Sequence, residues 1–275
     1  MCTQTSRELC RPDQSSLSFY CAAGKWGSDS CSVGTITDVI GAETQADCIA
    51  CPPGFYCPNS SSLSKTVECK AGFFCSGSAY TDDGTMTGTG VCTDGHYCPS
   101  GTNEPINCTP GKYCSGTSLQ APSGDCTQGY FCLQGSNTAT PTTSTIGGLC
   151  PAGSYCATGS SIFTQCPSGT YNPDTGSTVS TACVICDAGQ KCIGRGLTTP
   201  SGTCPAGYYC TQNPFTLRDC EEGYYCPAGV DAQILCPAGQ YNEYTHQSSC
   251  TACPVGYYCP QTDTTRKIIC PPGSY

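Results

Sequence analysis

A seven-residue phrase recurs fifteen times along this 275-residue sequence: Cys, two variable residues, Gly, one variable residue, an aromatic, and usually a second Cys. Ten copies have both cysteines, six apart. Five more, opening at Cys21, Cys31, Cys166, Cys236 and Cys270, keep the first cysteine and lose the second. Every copy has glycine at its third step, from Gly24 and Gly34 to Gly273, and thirteen have an aromatic at the fifth, for example Trp26, Tyr56, Phe74, Tyr209 and Tyr275. Ile36 and Lys191 are the exceptions. The fourth position is free, holding Phe55, His96, Lys112, Ser154, Tyr208 or Gln240. Glycine takes positive φ at no steric cost, and a proline before it presets φ, so Cys204-Pro205-Ala206-Gly207 reads as a tight turn. A ring in thirteen of fifteen copies beside a free position reads as an extended segment with the ring inward and its neighbour outward.

Such a chain has little else to build a core from. Thirty residues are cysteine, while Ala, Val, Ile, Leu, Met and Phe together supply roughly 54. A cysteine share above about 8–10% marks a disulfide scaffold. Each bridge supplies about 2–4 kcal/mol against the entropy of ordering the chain. From Cys31 onward, units start 16–24 residues apart, and the spacings 18, 23, 16 and 18, 24, 16 look like a duplicated three-unit block. The predicted fold is small and disulfide-rich: tandem short β-hairpin/turn cysteine-rich repeats in an elongated rod with little helix, each repeat touching mainly its neighbours. We divide it into an N-terminal cysteine-rich segment, 1–30, and repeat blocks at 31–165, 166–235 and 236–275.

Two pairings satisfy the cysteine count. An in-unit rule joins Cys51 to Cys57, Cys69 to Cys75, Cys92 to Cys98, Cys108 to Cys114, Cys126 to Cys132, Cys150 to Cys156, Cys186 to Cys192, Cys204 to Cys210, Cys220 to Cys226 and Cys253 to Cys259. Where the second cysteine is lost, at Thr37, Asn172 and Asn242, a substitute precedes the next unit, giving Cys31–Cys48, Cys166–Cys183 and Cys236–Cys250. A staggered rule instead joins Cys57 to Cys69, Cys98 to Cys108, Cys210 to Cys220 and Cys259 to Cys270, with bridges inside the three CxxC pairs. Spacing alone leaves both open. The in-unit rule leaves Cys270 and one of Cys2, Cys10 and Cys21 unpaired, so the chain reads as part of a longer array.

The units Cys166-Pro167-Ser168-Gly169-Thr170-Tyr171 to Cys183-x-x-Cys186, and Cys236-Pro237-Ala238-Gly239-Gln240-Tyr241 to Cys250-x-x-Cys253, resemble ephrin-receptor-like and tumour-necrosis-factor-receptor-like cysteine-rich repeats. Full units such as Cys204 to Cys210 resemble long arrays in surface and matrix proteins of protists and algae, including the glycosylated proteins of mastigonemes, the hairs of algal flagella. The resemblance covers 21–275. It implies in-unit bridges at Cys166–Cys183 and Cys236–Cys250, and leaves the full units open.

The same sequence argues against other functions. A net charge of −9 with 11 Lys+Arg disfavours nucleic acid and anionic membranes. No apolar run approaches the roughly 18 residues of a membrane span. Thirty thiols belong in an oxidising, extracellular or cell-surface setting. His96 and His246 are too few for a catalytic or metal constellation, and both read as solvated. The CxxC pairs 48/51, 183/186 and 250/253 lie too far apart for a zinc ribbon, and Asp82-Asp83-Gly84 lacks the later ligands of a calcium loop. We therefore expect no enzyme, cofactor or metal. Asn59 and Asn107 sit in N-glycosylation sequons, and Thr138, Thr140, Thr142, Thr143 and Thr145 flank Pro141 as in O-glycosylated segments. The expected role is a structural subunit of an extracellular glycosylated filament or coat, self-associating or joining neighbouring subunits through repeat edges and Tyr208, Tyr224 and Tyr257. The alternative is a receptor or adhesion ectodomain, or a variable surface antigen, that binds a protein ligand.

Overall fold

A computed structural model describes residues 19–22, 29–37, 42–58, 66–85, 88–211, 216–261 and 264–273. Among them the secondary structure is a series of two-stranded sheets, fourteen in all, with no α-helix and two 3₁₀ turns at Gln45–Asp47 and Ser180–Ala182. The first pairs Phe19–Tyr20, ahead of Cys21, with Asp29–Ser30, and the other thirteen hairpins are built in one way. The two residues after the first cysteine and the glycine make a turn closed by an i to i+3 hydrogen bond, as from Phe55 N–H to Pro52 C=O at 3.2 Å. The glycine at its third corner has φ between 71 and 91° in every described repeat, the value a type II turn requires. The fourth and fifth residues then pair with the two residues that precede the next repeat. Phe55 and Tyr56 face Glu68 and Val67, and Tyr224 and Tyr225 face Leu235 and Ile234. The longest hairpin joins Tyr208–Thr211 to Thr216–Asp219.

Thirteen disulfides join described cysteines. Ten close six-residue steps, from Cys51–Cys57 to Cys253–Cys259. Three span longer loops: Cys31–Cys48, Cys166–Cys183 and Cys236–Cys250. The staggered pairing is not formed. Cys21 is bridged, and Cys270 carries a free thiol. Cys2, Cys10, Trp26 and Tyr275 lie outside the described residues.

The core is sulfur. Among the described residues, apart from Ala42, Ala79, Pro141 and Tyr241, the buried apolar side chains are all cysteines. The expected inward ring is met in full at Tyr241 and only in part at the other repeats. Fifth-position residues from Tyr56 to Tyr225 are only half-buried, and Tyr258 is 46% exposed. The fourth position is not simply outward either, since Ser154 is buried. Most strands are two residues long, too short to form a sheet with distinct faces.

The chain divides into two compact units: Met1–Thr127, Phe131–Gly148 and Gly159–Ser161; and Gln128–Tyr130, Leu149–Thr158 and Ile162–Tyr275. Within each, successive repeats are joined by backbone hydrogen bonds. In the first, Gly54 N–H donates to Cys75 C=O at 2.8 Å, Cys57 N–H to Ala79 C=O at 2.8 Å, and Ser78 N–H back to Cys51 C=O at 3.0 Å. In the second, Gly153 N–H donates to Asn172 C=O, Cys156 N–H to Ser177 C=O, and Gly176 N–H back to Cys150 C=O, at 2.8–2.9 Å. The residue that closes this exchange has positive φ: Ser78, Gly101, Ser118, Gly135, Gly159, Gly176, Gly196, Gly229 or His246.

That closing residue also reaches the repeat two steps back. The Gly176 carbonyl oxygen lies where a side chain at Gly129 would begin, 2.6 Å from an ideal Cβ. Gly135 stands in the same relation to Gly95 at 2.7 Å, and His246 to Gly207 at 2.5 Å. In nine repeats, from Gly34 to Gly207, the motif glycine is thus required twice, by its own turn and by a carbonyl seated on it from two repeats ahead, whereas Gly239, Gly256 and Gly273 have open space there.

Candidate functional site

Where a repeat lacks its second cysteine, an amide takes over the position. Asn172 is 1% exposed, and its Nδ2 donates to the Ser154 carbonyl at 2.9 Å and to Ser177 Oγ at 2.8 Å. Its Oδ1 accepts from Asp174 N–H at 3.1 Å. Asn242 repeats the arrangement, donating to the Tyr224 carbonyl at 2.8 Å. In both cases the acceptor is the fourth residue of the preceding repeat. Thr37, the third such substitute, is fully buried. The two asparagines are visible in the sequence at equivalent steps. What hides their role is that each acceptor is a backbone atom.

His246 is exposed, as expected, yet it is also tied to its neighbours. It sits at φ 62° in a place that other repeats give to Gly or Ser. Its N–H donates to Cys220 C=O at 2.9 Å. Its ring lies edge-on to Tyr208 with centroids 4.8 Å apart, and Nε2 is 3.0 Å from Asp219 Oδ1. It therefore clasps the hairpin that carries Tyr208 and Asp219, which stand opposite each other. His96 is half-buried, with Nδ1 3.2 Å from the Asp94 carbonyl.

Tyr208 is thus partly occupied within the chain. Tyr224 is half-buried, and Tyr257 is 36% exposed opposite Ile269, itself 69% exposed. Other exposed apolar side chains stand on second strands: Val184, Ile185, Leu217, Ile234 and Leu235. Lys267 extends from the final hairpin over the Tyr241 ring, 5.1 Å from its centroid. It also donates to Tyr241 Oη at 3.2 Å and Glu243 Oε1 at 3.1 Å, and these two bonds raise its pKa.

Of the glycan acceptors, Asn59 lies outside the described residues. Asn107 is exposed on a strand opposite His96. Thr138 is half-buried, and its hydroxyl accepts from Thr140 N–H. Thr140, Thr142, Thr143 and Thr145 are exposed around Pro141, which is fully buried. Their segment is a folded loop, tied by Thr127 N–H to Ala139 C=O at 2.9 Å and Leu133 N–H to Ile146 C=O at 2.9 Å.

Among the described residues, no three His, Cys, Asp or Glu side chains converge as a metal set. The Asp83 carboxylate is turned on its own loop. It accepts from Thr85 Oγ1 at 2.6 Å, Thr85 N–H at 3.0 Å and Thr81 Oγ1 at 2.9 Å, which hold its pKa below the ordinary value.

Asp47 is held in a similar way, chiefly by Thr44 N–H at 2.8 Å and then by Glu43 N–H at 3.0 Å, which lower its pKa. A carboxyl whose pKa is lower folded than unfolded stabilises the fold above its unfolded value. That contribution is lost as pH falls through the folded value. We expect the 44–47 turn beside Cys48 to open on acidification through that window, seen as a fall in the protection factor of the Thr44 amide (its rate relative to the unstructured rate at the same pH), and that factor to be unchanged between neutral and mildly alkaline pH.

No protein-family model matches the chain. Over 108 residues it is 31% identical to the mouse "Signal peptide, CUB and EGF-like domain-containing protein 3". The match covers 39% of this chain and 10% of that protein, so the chain spans about a tenth of its relative. The similarity is between tandem disulfide-bonded repeats. It agrees with the bridges in pointing to a secreted protein.

Proposed function

We propose that this chain is a non-enzymatic structural subunit of an extracellular filament or coat. Self-association, or joining of neighbouring subunits, runs through repeat edges and exposed rings. The observation that carries this reading is the two-stranded hairpin: the first strand's outer side is bonded to the next repeat, as from Asn172 N–H to Leu197 C=O at 2.9 Å, while the second strand keeps an outer edge, and unpaired edges are templates for further pairing. In the second unit those edges carry Val184, Ile185, Ile234 and Leu235, and the final hairpin adds Tyr257. Tyr224 and Tyr257 are the better contact rings, because Tyr208 already packs on His246. The glycans belong on Thr140, Thr142, Thr143 and Thr145, whose exposed side chains ring a buried proline, with Asn107 as a second position.

The secreted protein is expected to form polymers visible by negative-stain microscopy. A Tyr224→Ser/Tyr257→Ser variant should shift the scattering mass toward the monomer. A protein that stays monomeric at every concentration would refute the filament reading. Intact mass above that of the polypeptide, reduced by Thr→Ala changes at 140, 142, 143 and 145, is the expected mark of O-linked sugar.

A receptor or adhesion ectodomain is the second reading. It is favoured by the similarity to a protein whose name joins CUB and EGF-like domains to a signal peptide. A monomer that captures a protein ligand would select it.

A further inference from the structure

The thirteen described bridges are not equally accessible. Nine of the six-residue bridges are buried at both ends. The three long ones differ. Cys31, Cys166 and Cys236 are fully buried, while their partners Cys48, Cys183 and Cys250 are half-buried. Loop length adds a second, independent difference. The long bridges close separations of 17, 17 and 14 residues, against 6 for the rest. The chance that two freed thiols meet again falls roughly as the three-halves power of loop length, about four- to fivefold here. Both effects act on the same three sites. The Cys253–Cys259 bridge separates them, because Cys253 is half-buried but its loop is short.

We propose that Cys48, Cys183 and Cys250 are thiol–disulfide exchange sites, at which an external dithiol opens the three half-repeats while the other repeats stay closed. A thiolate of the dithiol attacks the sulfur of Cys48, Cys183 or Cys250, and Cys31, Cys166 or Cys236 leaves as thiolate and takes up a proton. The second thiol of the reagent then attacks the mixed disulfide and releases the other cysteine. The bridge gains two electrons and two protons, and the dithiol becomes a disulfide. Opening frees the long loops only. Bonds that tie the half-repeats to their neighbours do not pass through the bridge, such as Gly169 N–H to Cys192 C=O at 2.9 Å and Asn172 Nδ2 to Ser154 C=O at 2.9 Å. The reductant class is a small dithiol or a dithiol oxidoreductase of the secretory or extracellular space.

The test is graded reduction of the native protein by dithiothreitol, quenched by alkylation and mapped by peptide mass. Expected is labelling of Cys31/Cys48, Cys166/Cys183 and Cys236/Cys250 at least tenfold faster than the nine buried bridges, with Cys253/Cys259 between. Any buried six-residue bridge opening as fast, or all opening together, overturns the proposal. A second arm uses Asn172→Cys with Cys183→Ser, which moves the partner of Cys166 to the six-residue position. Fast labelling should vanish there and persist at Cys236/Cys250. Its persistence at Cys166 in a folded variant would also overturn the proposal.

Discussion

Gly129→Ala should open the ladder around its repeat, at a cost of about 3–5 kcal/mol, the range of disruptions with a specific structural cause. Two terms add. The residue has φ 83°, where an L side chain costs roughly 1–2 kcal/mol. The new Cβ would also stand 2.6 Å from the Gly176 carbonyl oxygen, and backbone on both sides has nowhere to retreat. Gly176 N–H is bonded to Cys150 C=O at 2.8 Å, and Gly129 N–H to Cys156 C=O at 2.9 Å, so displacing the carbonyl strips both. Gly116→Ala is the control. It has φ 98° and open space around it, so it meets only the first term. Native-state amide exchange at Gly129 and Gly176 should accelerate by a hundredfold or more, since about 1.4 kcal/mol is a factor of ten. Gly116→Ala should leave those two amides unchanged. Equal effects from the two substitutions would mean that the turn, and not the carbonyl seat, is what demands glycine.

Asn172→Ala should cost about 2–4 kcal/mol, because the side chain fills the place of the second cysteine with hydrogen bonds to buried groups. Removing it leaves the Ser154 carbonyl without its side-chain donor and strips a partner from Ser177 and from the Asp174 amide. Asn172→Asp should be worse than alanine despite its matching shape. It turns an acceptor toward the Ser154 carbonyl and places a charge at a site 1% exposed, and an unpaired buried charge is strongly destabilising. Urea denaturation with the bridges intact should rank wild type, then alanine, then aspartate. Aspartate equal to asparagine would mean that shape alone holds the position.

Both predictions concern residues that the sequence marks plainly but explains only in part. Glycine at fifteen of fifteen third steps is legible as a positive-φ turn, because the requirement lies within four residues. The seat from Gly176 onto Gly129 spans 47 positions and is made by a backbone oxygen, which leaves no residue preference at the donor end beyond a tolerance for positive φ. Even that tolerance is disguised where Ser78, Ser118 or His246 fills the place. His246 shows the limit from the other side. As one histidine between Cys236 and Cys250 it reads as a loop residue, and only the folded register brings it to Tyr208 and Asp219.

The sequence by itself determined the repeat, its turn, the scarcity of aliphatic core and the oxidising setting, because each depends on composition or on residues a few steps apart. Its spacing allowed two disulfide pairings. Tertiary structure decided for the in-unit bridges, because each next cysteine continues the hairpin, as where Cys69 N–H donates to the Gly54 carbonyl at 2.9 Å. That leaves the two cysteines of one turn facing each other. Tertiary structure also decided what the aromatic positions do. A ring expected inside is buried at Tyr241, half-buried at most other repeats and exposed at Tyr258, because the sulfur bridges take the centre and the rings pack beside them.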